Sequence, residues 1–343
     1  MQAFQSHFAT TCWSSGCQHV PLGDSKKLYS SGGGLGTLEA GLLAMLHLLP
    51  ASGVDKHGGA RADKTSNSSM SSVELLGDFR YDRLGEIIDR LVGTPLAAEI
   101  AELAWYADYP DQAIPVALQT AEVQRLARIA HTALAAHDIE LVDMQAAVIC
   151  EPHFNRVVAQ TGSKGELLSR TTLDLMVQLL GSTTANPALA GSTASTENSV
   201  AISPGNTLRN TLGDDCVATE VFCDRQGGRK NYLPNLLAAL PERWFVETQI
   251  GSQRSSYHSA GERPLTVHFS VGGDSFPPTA LASMLAKYLR ERLMGQLNSY
   301  WKQLIPDLKP TAGYPVDARR FRIQIEPLAV REQFRTEQWW RCK

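Results

Sequence analysis

Two hydrophobic periods alternate along this chain, and each predicts its own kind of element. Val217, Thr219, Val221 and Cys223 alternate with Ala218, Glu220, Phe222 and Asp224. Leu265, Val267, Phe269 and Val271 alternate with Thr266, His268 and Ser270. A period of two is the signature of a strand whose faces differ. Trp244–Ile250 and Ile139–Cys150 are also expected as strands. Elsewhere the spacing is three and four, as in Leu35, Leu38, Leu42, Met45, Leu46 and Leu49, with Pro50 as the stop. Helices are expected over 81–92, 95–108, 118–137, 166–180 and 232–240. A longer one should start near Thr279, a good capping residue, and bury a stripe from Leu281 to Trp301. Lys287 and Arg290 fall off that stripe. From residue 217 onward the order reads β–α–β–β–α.

Between these patterned stretches lie unpatterned ones. Residues 51–72 and 181–212 are rich in small and polar residues and read as flexible insertions. Residues 1–20 read as a loop, and GGGLG at 32–36 as a turn, since no Gly-Lys-Ser/Thr follows it. The helical pattern over 73–138 reads as a layer or insertion covering the core, and 322–343 as a C-terminal extension. At 343 residues, 43% hydrophobic and 20% charged, the chain suits one large α/β domain.

The cysteines, at 12, 17, 150, 216, 223 and 342, lack a zinc-type pattern, which points to a reducing compartment. No run of about 18 apolar residues predicts a membrane span, and the start lacks a signal-peptide pattern. A cytoplasmic location is therefore expected. The net charge of −3 is unevenly spread: from Leu281 to Lys343, twelve Lys and Arg face six Asp and Glu, so that segment carries +6 and the rest −9. A basic segment on an acidic protein suits a phosphate-binding face, or simply a solvated helix.

Asp224 and Asp274 sit at or just past strand ends. Carboxylates suit Mg²⁺ or Mn²⁺, and two such ions about 4 Å apart can organise phosphodiester hydrolysis, usually with three or four acids. Other candidates carry less. His268 reads as a surface histidine, Glu247 as structural, and Trp339 and Trp340 as packing of the extension. Ser255, Ser256, Tyr257 and His258 lack a nucleophile elbow.

The ordered set DSKKL at 24–28, CDRQGGR at 223–229, GGDSFPPTALASMLAKYLRERLM at 272–294 and AGYPVDARRF at 312–321 resembles ribonuclease HII. The resemblance covers about a third of the chain and is similar to a divergent branch of that family. It implies a ribonuclease H-like mixed sheet flanked by helices. It also implies Mg²⁺ or Mn²⁺ held by Asp224 and Asp274 as the family's third and fourth carboxylates, and Lys26 and Lys287 on backbone phosphates. Tyr314 would lie at an RNA–DNA junction. The implied substrate is the RNA strand of an RNA–DNA hybrid, or DNA with an embedded ribonucleotide, cut to leave a 3′-hydroxyl and a 5′-phosphate.

The family's Asp-Glu pair should precede the DSK motif, yet no Asp or Glu occurs before Asp24. Two expectations follow: an N-terminally truncated enzyme, or a degenerate nucleic-acid-binding or scaffold protein on the same core. A different metal-dependent phosphoesterase is a third.

Overall fold

The computed structural model describes residues 7–30, 34–50, 81–184 and 218–342. The chain is a mixed α/β protein that divides into two compact units, Met1–Leu167 with Asp274–Lys343, and Leu168–Gly273. In chain order the first elements are strands β1 (Phe8–Ala9) and β2 (Val20–Pro21), then helices α1 (Ser25–Ser30), α2 (Gly34–Leu46), α3 (Leu84–Leu91), α4 (Thr94–Ala101) and α5 (Thr120–Ala135). Helices α6 (Glu151–Thr161) and α7 (Lys164–Thr184) follow, then β3 (Thr219–Asp224), α8 (Leu233–Ala239), β4 (Val246–Ile250), β5 (Arg254–Ser259) and β6 (Leu265–Ser270). The chain closes with α9 (Pro277–Leu304), α10 (Pro315–Arg331) and α11 (Thr336–Trp339).

The first unit is built around two helices. Every residue of α2 from Gly36 to Leu46 is buried, so it is a central helix rather than the one-sided helix its leucine spacing predicts. Gly34 to Gly36 begin this helix and are not a turn. Gly41 explains how deep α2 can sit: a Cβ there would collide with the Pro21 carbonyl and the Met284 methyl. Helix α9 supplies the other half of the core through Leu281, Met284, Leu285, Tyr288, Leu289, Leu293 and Trp301, the expected stripe. It begins at Pro277, not Thr279. Two prolines occupy its first positions, where a missing N–H costs nothing and the fixed φ suits the helix. Aliphatic residues of α3 and α5 complete the same core.

Two expectations in this unit change. Ile139–Cys150 forms no strand; it is extended but irregular. Its bonds are spent on α3 instead: Ala146 N–H donates to the Leu91 carbonyl at 2.7 Å, and Arg90 pairs with Asp143 at 2.9 Å. Helix α6 starts directly after it, at Glu151. Of residues 1–20, expected as a loop, the described part holds β1 and the start of β2, which pair in parallel. The insertion expected at 51–72 lies outside the described residues, as does most of that at 181–212; residues 181–184 close α7.

The second unit is a four-stranded mixed sheet in the order β3–β6–β5–β4. Strands β3 and β6 are parallel, with Asp224 opposite Ser270, while β5 runs antiparallel to both of its neighbours. One sheet face packs Tyr257, Leu265, Val267 and Phe269 against Leu236 of α8, Tyr232, Phe245 and Leu173 and Met176 of α7. Tyr232 stacks on Phe269 with ring centroids 3.7 Å apart, and its N–H donates to the Tyr257 hydroxyl at 2.8 Å. Strand β5 was not legible as a strand because its sequence, RSSYHS, lacks apolar alternation. Cross-strand pairs hold it: Ser256 with His268 at 2.9 Å, His258 with Thr266 at 3.1 Å, and Arg254 with Ser270 at 3.0 Å.

Candidate functional site

In the first unit the structure joins motifs that lie far apart in sequence. The Asp24 carboxylate accepts the Lys26 N–H at 2.8 Å and so caps α1. From that helix the Ser25 hydroxyl meets Ser283 of α9 at 2.8 Å. One turn on, the Tyr29 hydroxyl donates to Glu291 at 3.2 Å, and the Lys287 ammonium lies 4.3 Å from the Tyr29 ring centroid. Lys287 and Arg290 both pair with Glu291, at 2.7 and 2.9 Å. The DSK turn and the ALASMLAK helix therefore form one cluster.

Electrostatics fit this arrangement. Burial lifts the Tyr29 hydroxyl above its usual value, and the Glu291 charge adds to that, so Tyr29 stays protonated and donates. Burial works against the Glu291 charge. The hydrogen bond and charge of Lys287, with help from Tyr29 and Arg290, outweigh it and hold the carboxyl below the usual carboxylate range. The cluster contains two cations and one anion, with Arg290 the more exposed cation.

The AGYP segment is a fixed loop. Asn298 grips Thr311 by both its N–H and its carbonyl, at 2.8 and 2.9 Å. Asp317, in the first turn of α10, accepts from the Thr311 hydroxyl and the Ala312 N–H at 2.7 and 2.8 Å. Arg320 ties Asp317 to the Pro310 carbonyl. Hydrogen bonds from Thr311 and Arg320 hold the Asp317 carboxyl down at about 2. The loop projects Tyr314, 63% exposed, with Arg290 5.7 Å from its ring centroid.

Of the expected residues, Lys287 and Tyr314 thus flank Arg290, and Lys26 lies on the exposed side of α1. Lys287 is not a loose phosphate contact, since Glu291 and Tyr29 already engage it. Tyr29, Arg290, Glu291 and Asp317 were missed as site residues. The four-residue spacing of Lys287 and Glu291 on one helix was the available signal.

Asp224 ends β3 in the second unit and is exposed. Its carboxylate accepts the Gly273 N–H at 3.1 Å. A Cβ on Gly273 would lie 3.0 Å from the Asp224 Cα, so a side chain at the second glycine of SVGGD would crowd this strand edge. Asp274, the next residue in the chain, belongs to the first unit. It lies in a single turn of 3₁₀ helix ahead of α9 and lines a cavity of about 720 Å³. Among the described residues, no three His, Cys, Asp or Glu side chains come together as a donor set for a metal ion. The two aspartates alone are short of what two-metal chemistry requires.

No family model, curated protein or solved structure matches the chain. The secondary candidates resolve by their surroundings. The Ser255 hydroxyl is buried and donates to the Lys230 carbonyl at 2.6 Å, so it is a structural group. His268 stacks on Phe222 at 5.1 Å and shares a hydrogen bond with Ser256; burial, aided by Arg254, lowers its pKa. Glu247 lies on exposed β4. Trp339 is buried, and the Arg322 guanidinium covers both Trp339 and Trp340, as packing of the extension requires. Cys223 and Cys150 are pushed up to about 12, each chiefly by burial, which keeps them as unreactive thiols. No helix among the described residues is long and apolar enough to cross a membrane.

Proposed function

We propose that this chain acts on RNA–DNA hybrids, or on DNA with embedded ribonucleotides, as a ribonuclease HII-like endonuclease with a ribonuclease H-like core. The observation that carries this reading is the Ser25–Ser283 and Tyr29–Glu291 union of the DSK turn with the ALASMLAK helix, with Tyr314 of the AGYP loop beside Arg290. Chance motif matches have no reason to converge in this way. In this reading Lys26 and Arg290 face phosphates, Lys287 joins them when a phosphate displaces Glu291, and Tyr314 supplies an exposed ring to stack at the junction. The resemblance assigns Asp224 and Asp274, each in its own unit, to metal-binding carboxylate positions, and activity is expected to depend on Mg²⁺ or Mn²⁺. A hydrogen bond to the 2′-hydroxyl would distinguish ribose from deoxyribose.

The second reading is a hybrid-binding protein that does not cleave. The lack of a complete donor set among the described residues favours it. One experiment separates the two. An end-labelled hybrid duplex and an all-DNA duplex are incubated with the chain and Mn²⁺, and both binding and cleavage are measured. The nuclease reading expects hybrid cleavage that EDTA and Asp224→Asn abolish. Binding without cleavage selects the second reading. Equal affinity for hybrid and plain DNA, with no cleavage, sinks both.

A further inference from the structure

The cavity at the start of α9 shares Asp274 with the nuclease reading, but that reading uses none of its other lining. Its volume, about 720 Å³, is that of a small-molecule site. Apolar side chains such as Met45, Leu134, Leu141 and Leu281 form most of its wall. Its ionisable lining consists of Glu140, Asp274 and His137, with no lysine or arginine among the described residues. Asp274 lies at the N-terminal end of α9, where a carboxylate offsets the positive end of the helix. An anionic ligand would therefore meet net repulsion, and a purely apolar one would gain nothing from the two carboxylates.

We infer that this cavity binds an organic cation: a primary amine carried on an apolar body, with its ammonium beside Glu140 and Asp274. The apolar wall removes the body from water, which is the main drive for binding, and the carboxylates select the sign of the head group. The inference does not depend on the nuclease reading.

Three probes with one body and different heads test it: 4-phenylbutylamine, 4-phenylbutanol and 4-phenylbutyrate. Each is titrated into the full chain by calorimetry at neutral pH in EDTA, without nucleic acid. The amine should bind saturably, about tenfold tighter than the alcohol, with the carboxylate weakest. Glu140 is exposed, so Glu140→Gln should fold normally; it should erase most of the amine's advantage while leaving alcohol binding unchanged. Leu141→Trp, at the wall, should weaken amine and alcohol alike. Equal binding of the three heads, tightest binding of the carboxylate, no saturable amine binding, or an unaltered Glu140→Gln would each overturn the inference. Because no metal or nucleic acid is present, loss of amine binding says nothing about cleavage, and absence of cleavage says nothing about the cavity.

Discussion

Helix α9 joins an arginine–tyrosine–glutamate set on each of two faces, to different ends, and one of the sets adds Lys287. On its buried face Arg292 and Tyr288 meet Glu39 of α2. Glu39 is fully buried and accepts from the Tyr288 hydroxyl at 3.1 Å and from the N–H groups of Val116 and Ala117, with Arg292 3.8 Å away. Arg292 also donates to Gln112 at 2.9 Å. On the other face Lys287, Arg290 and Tyr29 meet Glu291, about one-fifth exposed. The first set is sealed in the core and has its partners fixed. The second is half-buried, with Arg290 its most exposed cation, so a phosphate can reach the cluster and compete with Glu291 for the two cations. Burial, not residue type, separates a structural ion cluster from a candidate binding one.

Removing the buried anion should have the largest effect. Glu39→Ala leaves the Arg292 charge without its counter-charge and the Tyr288 hydroxyl and two backbone N–H groups without their acceptor, and should cost about 3–5 kcal/mol in urea unfolding. A loss below about 1 kcal/mol would mean that the buried face is no more critical than the open one.

The Asp317 clamp should fall in between, with Asp317→Asn costing about 1 kcal/mol at neutral pH. Its pH dependence has a definite sign. The carboxyl is depressed from 3.8 to about 2, so its contribution is complete above the ordinary value and is lost as pH falls through about 2. The stability gap between the parent chain and the variant should close over that range. A gap that stays constant from pH 5 to pH 2 would rule out the clamp.

Glu291→Gln should affect stability least, by about 0–1 kcal/mol. It should release Lys287 and Arg290 and tighten hybrid binding about threefold at low salt, with the gain shrinking as salt rises. Weaker hybrid binding in this variant would show that Glu291 positions the cations rather than restraining them, and the contrast between the faces would need redrawing.

Much of the helical framework was legible in the sequence. The stripe on α9 was visible because a helix facing one core must repeat every three to four residues, and β3 and β6 because a strand with unlike faces must alternate. Strand β5 escaped because hydroxyl and imidazole side chains from neighbouring strands complete it. Ile139–Cys150 misled in the opposite direction: its apolar residues looked like a strand, but Leu91 and Arg90 take up its bonds instead. The site was partly legible. Lys287 and Tyr314 were found through motifs, but Arg290 between them was not, since nothing local links residue 314 to residue 290.

The sequence by itself determined the mixed α/β class, the long basic helix and the order of the four motifs, because periodicity and short motifs are local properties of the chain. Only the tertiary structure decided that Ser25 meets Ser283, that Glu291 rather than solvent holds Lys287, and that Glu140 and Asp274 line one apolar chamber. Those outcomes depend on which surfaces pack together, and packing brings side chains into contact across separations that no local pattern records.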